Sequence, residues 1–171
     1  MKDNKQKLQR MANAGMIAAL YTVATVALAP LSYANLQFRV SEALTLLPVF
    51  TGSAIPGLTL GCVISNAIGV GTGANIAGWL DVVLGSLATL LAAIATRMLR
   101  KVQWKGIPFL SALPPVIFNA LIVGGELAAV YRIPFWMCAL EVGAGELGVC
   151  VLLGIPLVMA LKRTKQFSID R

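Results

Sequence analysis

Along this chain long apolar runs alternate with short polar breaks. The runs fall at roughly 11–31, 36–51, 53–71, 79–99, 107–131 and 134–161. A membrane-spanning helix needs about 20 mostly apolar residues, and four of the runs meet that requirement easily. The second is interrupted by Arg39, Glu42 and Pro48. The breaks are short: 71–78 carries Gly71, Gly73, Asn75 and Gly78, and the last is 131–134. No stretch is left over for a soluble domain or a long linker. The pattern predicts one transmembrane domain over 1–171, an all-α integral membrane six-helix bundle.

Composition narrows the class. Of 171 residues, 58% are apolar and 12% charged, against about a quarter charged in a soluble domain. A chain this short cannot bury that apolar excess in a globular core, so lipid must cover it. A soluble enzyme, a secreted disulfide scaffold and a disordered segment are excluded.

The net charge of +7 is decided by where the cations stand. Twelve of the fourteen lie in three clusters: Lys2, Lys5, Lys7 and Arg10; Arg97, Arg100, Lys101 and Lys105; Lys162, Arg163, Lys165 and Arg171. Clusters placed between apolar runs are the positive-inside signature, not a nucleic-acid footprint. Six spans put all three clusters on one side; without a span at 36–51 the middle cluster would face the other way. The sequence therefore predicts a multi-pass cell-membrane protein with both termini cytoplasmic, leaving Arg39 and Arg132 near the outer side. Ala27-Leu28-Ala29 imitates a signal-peptide cleavage site, but the apolar run before it is too long and Pro30 opposes processing.

Little points to catalysis. There is no GxxxxGK[ST] loop, so ATP is not hydrolysed by that route. Gly69, Gly71 and Gly73 do not continue into GxGxxG and read as a turn. With no histidine, and with Cys62, Cys138 and Cys150 outside any CxxC spacing, no metal, cofactor or triad is expected. The chain is not read as an enzyme.

The informative residues are acids inside apolar runs. Glu42, Asp81, Glu126, Glu141 and Glu146 make five of the seven carboxylates. Such a group costs on the order of 2.5–3.5 kcal/mol to place in a span, so it faces a cavity or a partner. Asp81 opens span four and Glu126 closes span five at the outer side. Glu141 and Glu146 fall about 10 and 18 Å into span six from that side. The acids converge on the outer half of spans four to six, where a pocket open to the exterior is expected. Local alternatives stand beside this: an Arg39–Glu42 pair along one helix face, or Asp81 as a helix-start charge at the interface. Glu141 and Glu146 lie roughly 140° apart around a helix, so only one can point squarely at a ligand.

Asn119, Trp79, Tyr131, Phe135 and Trp136 share the outer region. The aromatics fit an interfacial belt, and a minority could stack on a flat ligand. Carboxylates and aromatics together favour a planar molecule rich in N–H donors, including a cationic one. In the first span, Ala14/Ala18 and Gly15/Ala19 place small residues four apart. That strip permits close helix approach, either inside the domain or against a partner.

Taken together these features resemble the substrate-binding component of an energy-coupling factor transporter, and within that group the QueT family, associated with queuosine precursors. The resemblance is carried by Gln37-Phe38-Arg39-Val40-Ser41-Glu42-Ala43-Leu44-Thr45-Leu46-Leu47-Pro48, Ile55-Pro56-Gly57, Gly61-Cys62 and the stretch Asp81 to Leu90. Pro114-Pro115, Asn119 to Gly124 and Gly145-Glu146-Leu147 complete it. It implies a high-affinity binding subunit without ATPase, docked on a shared transmembrane subunit driven by two cytoplasmic ATPases that use the ATP. Ala14, Gly15, Ala18 and Ala19 would then form the docking strip. It further implies a 7-deazaguanine substrate, with Glu146 on the guanine edge, Glu126 or Glu141 at the other end, Asn119 on the carbonyl, and Trp79 or Trp136 stacking. Arg39, Glu42 and Asp81 complete the expected site. The alternatives are another vitamin or nucleobase-like ligand, a stand-alone proton-coupled transporter and an intramembrane enzyme.

Overall fold

The computed structural model describes residues 2–33, 38–103 and 107–164, the side chains of Lys2 and Asp3 excepted. Leu36 and Gln37 at the head of the second run, and Lys105, Lys165 and Arg171 of the charge clusters, lie outside the described residues.

Every regular element among the described residues is helical. Helix α1 (Lys2–Ala27) gives way to a single turn, α2 (Ala29–Ser32), with Pro30 near its start. Proline has no N–H to continue the ladder, so the chain turns there. Val40–Val49 forms a 3-10 helix, followed by α3 (Ala54–Gly71) and α4 (Trp79–Met98), the latter extended by a 3-10 turn to Lys101. A short 3-10 turn leads into α5 (Leu113–Phe118), a π-helical turn (Asn119–Val123) and α6 (Gly124–Tyr131). After a left-handed residue at Arg132, α7 (Phe135–Val149) runs through a second π turn (Cys150–Gly154) into α8 (Ile155–Arg163). Pro156 leaves a backbone carbonyl one turn earlier without its N–H, and the wider π turn absorbs that break.

Four helical rods among the described residues are long and apolar enough to cross a membrane: Ala54–Gly71, Trp79–Lys101, Phe109–Tyr131 and Phe135–Arg163. The expected count of six such helices is not reached. Helix α1 starts well before residue 11 and takes Lys5, Lys7 and Arg10 into its first turns. The 36–51 run holds only the ten-residue 3-10 helix. That tight coil still reaches far. Its N-terminal flank meets α4 at Asp81, through Arg39. At its other end Arg97 of α4 donates to the Pro48 carbonyl at 2.9 Å. Ten residues rise about 20 Å as a 3-10 helix and only about 15 Å as an α-helix.

Helices α1 and α3 lie side by side in backbone contact. A Cβ on Gly57 would fall 2.7 Å from the Ala14 carbonyl oxygen, and one on Gly61 would fall 2.9 Å from that of Ala18. Thr22 donates to the Gly61 carbonyl at 3.2 Å. Small residues on both sides allow this approach. The docking strip expected on α1 is therefore divided: Ala14 and Ala18 are internal packing against α3, while Gly15 and Ala19 are exposed. Three apolar clusters form the interior, around Tyr21, Leu58 and Cys62, around Leu46, Cys150 and Val158, and around Ala88, Val123 and Val142. Val83, Leu87, Leu140 and Leu152 face outward, the side chains that lipid covers.

Candidate functional site

Arg39 sits just before the 3-10 helix, 4% exposed. A buried guanidinium needs acceptors for its fork of donors, and two helices, α4 and α2, supply them. Its Nη2 donates to Asp81 Oδ2 in the first turn of α4 at 2.7 Å, and its Nε donates to the Ser32 carbonyl at 3.2 Å. The charge also lies 5.3 Å from the Tyr33 ring centre, within cation–π range. The intrahelical Arg39–Glu42 pair is not formed. Nor is Asp81 an interfacial helix-start charge: it is wholly buried.

The turn before α4 completes this end. Gly73 and Gly78 take the positive φ values of 74° and 70° that the turn requires. It carries Asn75 inward, where its amide donates to Asp81 Oδ2 at 2.8 Å. Asn66 of α3 donates to the Asp81 carbonyl at 2.9 Å. Tyr33 donates to the Ser65 carbonyl at 2.6 Å, its ring packed against Gly69.

One turn further along, Tyr21 of α1 donates a short hydrogen bond to Glu42 Oε1. Glu146 of α7 lies beside Glu42 and Asn119, and the Cys150 thiol approaches its Oε1 at 3.9 Å. Asn119 opens one π turn and Cys150 the other. Such turns re-aim side chains and recur at functional sites. Glu126 on α6 completes the group. Arg39 stands within electrostatic reach of Glu42, Glu126 and Glu146.

Of the residues expected in the site, the structure thus gathers Arg39, Glu42, Asp81, Asn119, Glu126 and Glu146. All are buried, from 0% exposed at Asp81 to 6% at Asn119. The pocket expected to stand open at this end is closed over. Three side chains are not brought in. Glu141 is half-buried near Cys138, on another face of α7. Trp79 and Trp136 are 68% and 62% exposed, outside the buried carboxylate group. Sequence reasoning missed Tyr21, Tyr33 and Asn66, and used Asn75 only as a turn marker. The signal for Asn66 was present: an amide inside an apolar helix demands a partner as an acid does.

The chemistry on offer is acceptance of hydrogen bonds. Both Glu126 oxygens lack a donor among the described residues, as do Glu42 Oε2 and Asp81 Oδ1. Buried acceptors of this kind normally find partners, and N–H groups are the chemistry that would satisfy them. No three acids, cysteines or histidines among the described residues are grouped to hold a metal.

Comparison with known proteins gives two matches. The family model described as QueT transporter matches residues 11–163. A protein of Lactococcus lactis subsp. cremoris (strain MG1363), described as queuosine precursor transporter QueT, is 36% identical over 89 residues. That alignment covers 51% of this chain and 48% of the relative, so it spans about half the relative's length. No solved structure matches the chain.

Proposed function

The chain belongs to the QueT transporter family, and from that membership and the buried carboxylates we propose that it is the substrate-binding subunit of an energy-coupling factor importer for queuosine precursors. The observation that carries the ligand reading is Glu126, buried with two oxygens unpartnered among the described residues and within electrostatic reach of Arg39 and Asp81. A 7-deazaguanine presents N1–H and N2–H₂ on one edge, next to carbonyl O6. Glu146 accepts from that edge and its neighbour Asn119 donates to O6. Glu126 accepts from the substituent at the far end of the ring. Access requires the closing contacts, Arg39–Asp81–Asn75 and Tyr33–Ser65, to part.

Six passages of the membrane fit the course of the chain, with the 3-10 helix as a thin second passage beside α4. Both termini then lie in the cytoplasm of a cell-membrane protein. The exposed Gly15 and Ala19 of α1 present a small-residue face to a transmembrane coupling subunit, and two ATPases attached to it supply the energy.

Calorimetric titration of the purified protein with 7-deazaguanine ligands tests the binding role. Glu126→Gln sets a donor against a donor and removes a charge-assisted bond, costing about 2–4 kcal/mol. Affinity then falls on the order of 30- to 1000-fold, whereas Glu141→Gln leaves it unchanged. Affinity of Glu126→Gln within threefold of wild type would remove Glu126 from the site. The adjoining Glu42 and Glu146 carboxyls favour one second reading, a proton-coupled transporter working alone. It requires gradient-driven uptake by the purified protein in vesicles without partner subunits.

A further inference from the structure

Away from the carboxylate cluster, α1 carries a line of side chains, Gln6, Arg10, Asn13, Ile17 and Leu20, spaced three or four residues apart. At that spacing they lie one above another on a single helix face. The first half of the line is polar and the second apolar. Two recesses follow it and share Asn13, Phe50 and Thr51. The first is lined by Gln6, Gln9, Arg10, Ser53 and Arg97 among others, with two guanidinium groups and, among the described residues, no carboxylate side chain. The second, about 260 Å³, runs between Ile17, Leu20, Leu44, Leu47, Leu157 and Leu161.

We propose that these joined recesses bind one anionic phospholipid. Its phosphate sits on Arg10 with Gln6 and Gln9, its ester region lies at Asn13 and Thr51, and an acyl chain fills the leucine-lined groove. Three observations favour this occupant. The charge is complementary, because the described residues lining the polar recess include Arg10 and no acid. The dimensions fit: Arg10 to Leu20 spans about 15 Å of helix, half of a hydrocarbon core of about 30 Å. The site also lies at the basic end of the molecule, beside Lys5, Lys7 and the Arg97–Lys101 turn, where a negative leaflet surface attracts cations. Arg97, donating to the Pro48 and Val49 carbonyls at 2.9 and 3.4 Å, fixes the floor of the recess. The line stands roughly 160° around α1 from Gly15 and Ala19, and the first recess wraps around the helix as far as Gly15. The inference does not depend on which ligand the carboxylates take.

The test is retention of phosphatidylglycerol or phosphatidylcholine, with identical acyl chains, by the purified protein under native mass spectrometry. Wild type holds the anionic lipid about tenfold or more tightly over the zwitterionic one. Arg10→Gln brings the two within about threefold, and Leu20→Trp, which fills the groove, weakens both. Arg132→Gln, at the opposite end, leaves the preference intact. Equal retention of both lipids by wild type overturns the proposal. An unchanged preference in Arg10→Gln, or equal losses in Arg10→Gln and Arg132→Gln, overturns it as well, the last by reducing it to diffuse surface charge. Retention of neither lipid overturns it in favour of a protein occupant.

Discussion

Breaking the Arg39–Asp81 pair by replacing one partner should be among the most destabilising single changes in this chain. Asp81 is wholly buried and, among the described residues, holds two side-chain donors, Arg39 Nη2 at 2.7 Å and Asn75 Nδ2 at 2.8 Å. Removing one member of a buried pair costs about 3–5 kcal/mol, because the other charge is left uncompensated. Arg39→Met also forfeits the bond from Nε to the Ser32 carbonyl, a further loss of about 1 kcal/mol. The expected total is about 4–6 kcal/mol. Asp81→Asn alone leaves a buried guanidinium facing two amides and costs about 3 kcal/mol by the same reasoning. The double variant removes both charges, so its cost should be about 2–3 kcal/mol smaller than the sum of the singles. Equilibrium unfolding in mixed micelles of increasing denaturing-detergent content, followed by tryptophan fluorescence and checked for reversibility, measures all three. Additivity within about 0.5 kcal/mol would mean that the two groups do not interact, and the reasoning would fail.

The division of the α1 strip makes a paired prediction. Ala14→Leu with Ala18→Leu should push α1 off α3 and cost about 1–3 kcal/mol per site, seen as a lower unfolding midpoint. Gly15→Leu with Ala19→Leu should keep stability and ligand affinity but abolish coupled transport; intact transport would remove that face as the docking surface. Topology can be read by cysteine labelling in a background lacking Cys62, Cys138 and Cys150. Asn75 is buried against Asp81, so the neighbouring exposed Ile76 is the better outer position, with Lys101 as the inner one. Impermeant reagent reaching position 101 but not 76 from outside would refute the six-passage arrangement.

Hydropathy and charge make much of the architecture legible without coordinates, because both act within a segment. The runs at 53–71, 79–99, 107–131 and 134–161 match the four long apolar rods to within a few residues. The second run is the instructive departure. Arg39, Glu42 and Pro48 mark it as a poor helix, and it is one, yet its 3-10 coil extends far enough to join both ends of α4. Helical periodicity carries no hint of that change of pitch, which depends on what lies alongside. The π turns at Asn119 and Cys150 were equally hidden, although Pro156 marks the place of one.

The candidate site divides along the same physical line. An acid in an apolar run must find a cavity or a partner wherever the chain folds, so Glu42, Asp81, Glu126 and Glu146 could be named from the sequence alone. Which partner each finds is a relation between segments far apart in the chain. Spacing offered Arg39 to Glu42, three residues away; the fold gave it to Asp81, forty-two residues on, and gave Glu42 to Tyr21. Glu141 and Glu146 differ by five residues, so only one could point squarely at a ligand, and rotation of α7 buries Glu146 with Asn119 and leaves Glu141 on a different face. The small residues of α1 show the same thing. Ala14, Gly15, Ala18 and Ala19 announce a close helix contact by their size, and only the position of Gly57 and Gly61 on α3 decides that Ala14 and Ala18 make it. Residue chemistry sets what a side chain requires. The neighbour that satisfies it is chosen by tertiary packing, because burial and hydrogen bonding are settled between surfaces rather than along the chain.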